Sequence, residues 1–331
     1  MSGRLRTRLA RQLDLWPLHG LAADARNIAI LMPSVCEDAP GVLLGTMLPG
    51  KGKTWIVEDD SGLVGFAQVR PRRYVLGWEL TRLHVRRSCD PEDPVRCLIQ
   101  EILAYLQGRG IPRLFGRTPE ESLGHDILLA CGFTHLVSET VFIRDPELTP
   151  TPRETPVGLR YRMPQDAWPL RQLESSQTPL LISQLEGLTS VSVNGPPNRR
   201  WRRDEPSELV IERDGELAGW IWWTRARSQD CREHVRLGIL TQQDETAIAS
   251  ALLEYALHAI AGAGAGNRIV LRLRDYQMPL HSVVADHGFR EVARETLHLK
   301  HGRLQVIPKK VSRLLELAPR VGALTAEPSL K

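Results

Sequence analysis

The chain has 331 residues, 42% of them hydrophobic and 25% charged, and a net charge of +4 at pH 7. Those values suit a globular protein of about two domains and exclude a disordered or collagen-like chain. No apolar run approaches the roughly 20 residues of a membrane-spanning helix, and so mild a positive charge permits an anionic ligand without requiring nucleic acid. Cys36, Cys89, Cys97, Cys131 and Cys231 make an odd number with no CxxC pair. That pattern predicts reduced thiols in a cytoplasmic protein, with no disulfide frame and no metal site.

In chain order, Leu5–Leu9 alternates as a short strand, and Arg11–Ala23 reads as helix. Pro33–Lys53 is rich in Gly and Pro and predicts a long irregular connection. Thr54–Asp60 and Leu63–Arg70 form a hairpin around Asp60-Ser-Gly62. Trp78–Arg86 is another strand. Pro94–Gln107 is a helix whose stripe is Val95, Leu98, Ile99, Ile102, Leu103 and Leu106. Arg113–Arg117 is a strand, Glu121–Cys131 a helix closed by Gly132, and Thr134–Arg144 a closing strand or hairpin. The proline-rich DPELTPTPRETP of 145–156 is a stiff linker.

The chain then repeats itself. HDILLACGFTHLVSET at 125–140 returns as HSVVADHGFREVARET at 281–296, with His, Gly, Phe, Glu and Thr in register at an offset of 156. Glu58, Asp60, Leu63 and Gly65 return as Glu212, Asp214, Leu217 and Gly219, and Leu5, Arg6 and Arg8 match Leu159, Arg160 and Arg162, all at 154. The glycine turn Gly108–Gly110 corresponds to the longer GAGAG of 262–266, where two residues are gained. So long a period is a duplicated domain, not a solenoid. The expected division is domain 1 at 1–146, linker at 147–157, domain 2 at 158–306 and a tail at 307–331. In that tail, Pro308–Leu317 suits an amphipathic helix. Each half is a mixed, mostly antiparallel sheet flanked by helices, an α/β architecture.

These ordered features resemble the GNAT superfamily of acyl-CoA N-acyltransferases. The resemblance is carried by the GLVGFA and GELAGW hairpins, the strands ending Leu83-His-Val85 and Leu237-Gly-Ile239, the long amphipathic helix, and the helix ending in Gly-Phe. It covers both halves and implies a tandem pair of GNAT-like domains. In that family the fourth strand splays from its neighbour, and its free backbone groups pair with the pantetheine arm. The turn after it holds the pyrophosphate at a helix N-terminus. The implied cofactor is acetyl-CoA or another acyl-CoA, with no metal. The implied cofactor contacts are Leu83, Val85, Arg86 and Arg87 in the first half and Leu237 and Ile239 in the second. Glu79 and Glu233, each six residues before the end of its strand, are the implied catalytic bases, because an amine must lose a proton before it attacks. The implied acceptor is a small-molecule or peptide amine; neither a membrane nor nucleic acid is expected, and a homodimer is left open.

The sequence departs from the family at two places. The first phosphate turn reads RRSCDPEDP and the second TQQDET, glycine-free and acidic. A Cβ and like charge both oppose a close pyrophosphate. The tyrosine four residues before Gly-Phe is replaced by Leu128 and Val284, and His125 and His281 stand seven residues ahead of the glycine. Three readings therefore stay open: an acyltransferase, a catalytically degenerate GNAT-fold binding or assembly module, and a binder of an anionic polymer or nucleotide through NRRWRR at 198–203.

Overall fold

The computed structural model describes residues 4–30, 52–72, 77–145, 155–186, 207–226, 234–242, 245–262 and 268–302. The first half contributes β1 (Arg6–Leu9), α1 (Leu15–Asp24), β2 (Ala25–Ile30), β3 (Lys53–Asp59), β4 (Gly62–Pro71), β5 (Trp78–Arg86), α2 (Glu92–Gln107), β6 (Arg113–Pro119), α3 (Leu123–Ala130) and β7 (Thr134–Arg144). The second contributes β8 (Leu159–Tyr161), α4 (Ala167–Gln177), α5 (Leu180–Glu186), β9 (Ser207–Arg213), β10 (Glu216–Ala226), β11 (His234–Thr241), α6 (Thr246–Gly262), β12 (Arg268–Arg274), α7 (Pro279–Asp286) and β13 (Arg290–His301). The expected connection at 33–51, most of the linker, NRRWRR, the end of the GAGAG turn, the tail helix, Glu233, Cys36 and Cys231 lie outside the described residues.

The elements form for the reasons their patterns give. The stripe of α2 buries Val95, Leu98, Ile99, Ile102 and Leu106 against β3, β4 and β5. The stripe of α6 buries Ala249, Leu252, Leu253, Ala256, Leu257 and Ile260 in the same way. Spacings of three and four put those side chains on one face of a helix. On the opposite face of the first sheet, Leu18 and Leu21 of α1 meet Ile56 and Phe66. The second hairpin turns on Asp214 (φ 52°) and Gly215 (φ 81°), the left-handed pair that a tight hairpin needs.

Two results depart from the expected arrangement. The first concerns β7, which does not close its own half. Among the described residues all thirteen strands join one sheet in the order β1-β3-β4-β5-β6-β13-β7-β12-β11-β10-β9-β8, with β2 attached to β5. Thus β13 of the second half pairs with β6, while β7 of the first pairs with β12, and β7 and β13 pair with each other. The halves exchange their last strands. Strands β7 and β13 are the matched copies of the repeated segment. Along the β7–β13 ladder lies the seam cluster of Phe115, Val137, Leu297 and Leu299. The second departure is β2, a strand in a stretch that showed no strand pattern.

The duplication is visible in side chains as well. Arg8 pairs with Asp14 at 2.7 Å and Glu58 at 2.8 Å, and Arg160 pairs with Asp166 at 2.7 Å and Glu212 at 3.0 Å. Arg8 therefore matches Arg160, an offset of 152 and not the 154 expected from the letters alone.

Candidate functional site

The site is built where parallel neighbours part. In the first half β5 and β6 pair only through Trp78–Leu80 and Leu114–Gly116. In the second, β11 and β12 pair only through His234–Leu237 and Arg268–Leu271. Beyond those points each fourth-strand edge turns toward a wedge. The two wedges differ. Along β11, Gly219–Ala226 of β10 pairs on the far side. Among the described residues no strand lies on the wedge side of Gly238–Thr241. The Gln277 side-chain amide donates to the Ile239 carbonyl at 3.4 Å, a long bond. Along β5, by contrast, β2 fills the wedge: Arg26 stands opposite Val85, Asn27 opposite His84, Ala29 opposite Leu83 and Ile30 opposite Arg82. The edge expected to bind a cofactor arm in the first half is already paired.

The other expected contacts are placed as follows. The side chains of Leu83 and Val85 are fully buried in the first core, and those of Leu237 and Ile239 lie in the second. Arg86 is drawn back onto the β3–β4 turn, donating to the Leu63 carbonyl and to Ser61 Oγ. Arg87 is exposed in the turn after β5. Arg96, the remaining cation of that acidic turn, is ion-paired with Glu92 and Asp93 on its own helix. In the second half the Gln242 amide donates to Ala218 O and the Glu245 amide to Gln242 O, while the Glu245 carboxylate pairs with Arg213 at 3.2 Å. The turn that follows β11 has already committed these two amides, and Glu245, its described carboxylate, is taken up by Arg213.

Glu79 is buried, and its carboxylate is gripped by Arg117 and by Arg70 at 3.2 Å. Burial pushes its pKa up, but Arg117, Arg70 and Arg72 outweigh that and leave it at about 2. The pair belongs to a chain of charges that crosses the seam. Arg117 also meets Glu139 at 2.7 Å, Glu139 meets Arg274 at 3.5 Å, Arg274 meets Glu186 at 2.8 Å, and Glu186 meets Arg72 at 3.4 Å. Arg117 is the residue the motif reading missed, because nothing in its spacing marks it.

The ladder also corrects the pairing of Glu79 with Glu233. Gly65 and Gly219 are equivalent, facing Val57 and Ile211. Gly65 then pairs with Val85, but Gly219 pairs with Thr241 and not Ile239. A bulge at Thr81 adds one more residue, so Arg70–Glu79 corresponds to Thr224–Arg236. Arg236, three residues after Glu233, holds the sheet position of Glu79. The carboxylates repeat in the letters and not in the ladder.

His125 and His281 serve local packing. The His125 backbone N–H is capped by Ser122 Oγ at 3.3 Å, and its ring meets His298 edge-on at 5.0 Å. His281 meets the Phe142 ring at 5.2 Å. His125 also lines a cavity of about 500 Å³ with Glu120, Glu121, Asp126, His135 and Thr296, whose acidity suits a cation better than a phosphate. Among the described residues no group of His, Cys, Asp and Glu could hold a metal, and no helix is long and apolar enough to cross a membrane.

No family model matches the sequence, and no curated protein matches it either. Solved structures do. A tandem GNAT protein from the clavulanic acid biosynthesis pathway aligns over 90% of this chain and 99% of its own, at a TM-score of 0.59 and 15% identity. The chain has the tandem GNAT fold. A GCN5-related N-acetyltransferase from Sphaerobacter thermophilus aligns over 91% and 96%, at a TM-score of 0.57 and 16% identity. A putative acetyltransferase from Pyrococcus horikoshii aligns over 92% and 91%, at a TM-score of 0.53 and 12% identity. Identities this low carry the fold and leave the chemistry to the site.

Proposed function

We propose that this tandem GNAT protein is an acyl-CoA-dependent N-acyltransferase that takes its cofactor in the second half. One observation carries the reading: the fourth-strand edge at Ile239 opens toward a wedge, while its counterpart on β5 is paired with β2. The pantetheine arm of acetyl-CoA would bond to the backbone of β11 between Leu237 and Thr241. Bound there, the thioester supplies the activated acyl group. The acceptor is an amine, small or peptidic, and it must be deprotonated before attack. Glu233, outside the described residues, is the candidate base of this half, and Arg236 follows it three residues on in the sequence. Committed amides in the following turn predict weak cofactor binding, so the cofactor is best titrated to millimolar concentration.

The test is calorimetry of the full chain with CoA and acetyl-CoA, followed by thiol release with a panel of amines. Binding is expected, and Ile239→Pro, which removes a backbone N–H from this edge, is expected to weaken it about tenfold, in line with one or two lost hydrogen bonds. No heat at millimolar ligand ends the reading. The degenerate-module reading is favoured by the first half, where Glu79 is neutralised by arginines and the strand edge is taken. It predicts ligand-free behaviour throughout, and CoA release sensitive to Glu233→Gln would remove it.

A further inference from the structure

The first wedge is filled in a way that looks prepared for its occupant. Strand β2 runs antiparallel along β5 from Ala25 to Ile30. Its Ile28 side chain is buried in the first core with Leu83, Val85 and Ile127. On its other side the Ile28 carbonyl comes so close to α3 that a Cβ on Gly124 would lie 1.8 Å from it. No side chain fits there, because the obstacle is backbone and cannot rotate away. Gly124 is not a left-handed glycine; it is the second residue of α3, so its backbone conformation does not call for glycine. What calls for glycine is the room that the Ile28 carbonyl of β2 takes up.

The second copy supplies the comparison. Counting back from the matched His125 and His281, the residue that replaces Gly124 is Leu280. Leu280 is buried in the second core. The stretch that follows α4 there is α5, a helix, and it packs Ile182 and Leu185 on the seam cluster instead of entering a wedge. One half has glycine and a strand; the other has leucine and a helix. The two differences match each other, as they would if the wedge had been adapted to its strand.

From this we propose that β2 is a built-in strap that occupies the acyl-CoA wedge of the first half, keyed by Gly124, so that the chain holds one cofactor site and not two. The strap satisfies the same backbone edge that a pantetheine arm would use, and both cannot pair with it at once. The inference rests on the acyltransferase reading for the identity of the wedge, and on the geometry alone for the strap.

The experiment combines hydrogen exchange and calorimetry on the full chain, with CoA as the probe. In the unaltered protein the amides of Arg26–Ile30 that face β5 should exchange at least about a hundredfold more slowly than in an unstructured peptide. One equivalent of CoA should bind. Gly124→Ala, and Gly124→Leu if it folds, should release that protection at least tenfold without changing exchange in β9, β10 or β11, and should raise CoA binding toward two equivalents. Unprotected β2 amides, two equivalents in the unaltered protein, or release without a second equivalent while the first still binds, would each overturn the strap. Zero equivalents in every protein, with β2 protected and then released as described, would instead remove the acyl-CoA reading and leave the strap in place.

Discussion

A general base must be able to hold a proton as the amine attacks, and a carboxylate near pKa 2 holds one poorly at neutral pH. Glu79 has that property because Arg117, Arg70 and Arg72 outweigh its burial. Its role is to close a charge chain, so Glu79→Gln is expected to leave CoA release per folded molecule unchanged. The same change leaves Arg117 and Arg70 facing a neutral amide and should cost about 3 kcal/mol in a urea titration. A loss of turnover of a hundredfold or more with the urea midpoint intact would restore Glu79 as the base. His298 makes a second residue-scale prediction. It is fully buried, bonded through Nε2 to Thr118 Oγ1 at 2.9 Å. Burial first, then His125 and His135, hold its pKa at about 4, below the ordinary 6.5. Between those values the unfolded chain takes up a proton that the folded one refuses, so stability is lost as pH falls from about 6.5 to about 4. Glu79 and Glu139, both near 2, contribute their own loss only below about 4.5. Melting temperatures across pH 7 to 4 should therefore fall, and His298→Gln should flatten the upper part of that slope. An identical slope in the variant would contradict the assignment.

At the scale of elements, what could be read from the letters is what depends on local spacing. The stripe of α2 from Val95 to Leu106 and the hairpin turn at Asp60-Ser-Gly62 follow from periodicity and from turn chemistry, and both are found where expected. Ile102 is the plainest case: it has no exposed surface, and Ile102→Ala should cost about 3 kcal/mol, read as a lower urea midpoint with an unchanged slope. A change within about 0.5 kcal/mol would mean that the helix does not bury this face. What stayed hidden depends on partners distant in sequence. Ala25–Ile30 is strand along the edge of β5, while the second copy, whose β11 edge is left open, makes helix at Leu180–Glu186. A two-residue offset where Gly65 and Gly219 pair, and one more at the Thr81 bulge, shift the ladder, so the letters aligned Glu79 with Glu233 although the sheet aligns it with Arg236. Arg117 was invisible for the same reason: its partners are Glu79, 38 residues before it, and Glu139, 22 residues after it.

For the whole molecule, the consequence of exchanged strands is that neither half is closed by its own chain. Taken alone, residues 1–145 would leave the edge of β6 from Arg113 to Pro119 bare, because β13 supplies every pairing from Glu295–Pro119 to His301–Arg113. The same fragment would carry β7 with both edges unpaired, since its neighbours are β12 and β13. Bare edges seek strands. Strand β7 is itself a copy of β13, so a second fragment offers the missing strand, and exchange between two fragments rebuilds the seam with twofold symmetry. Such a pair retains the Arg117–Glu139 ion pair within each fragment and replaces Leu297 and Leu299 with their first-half counterparts. The fragment is accordingly expected to run at twice its mass in light scattering, with a melting temperature that rises with concentration as for any obligate pair. Co-expression with residues 155–302 should divert it into a one-to-one complex, because β13 is the strand the edge of β6 packs in the intact chain. A monomeric fragment, stable independently of concentration, would mean that β7 can fold back beside β6 and that the exchange is a preference of the joined chain, not a requirement of the halves.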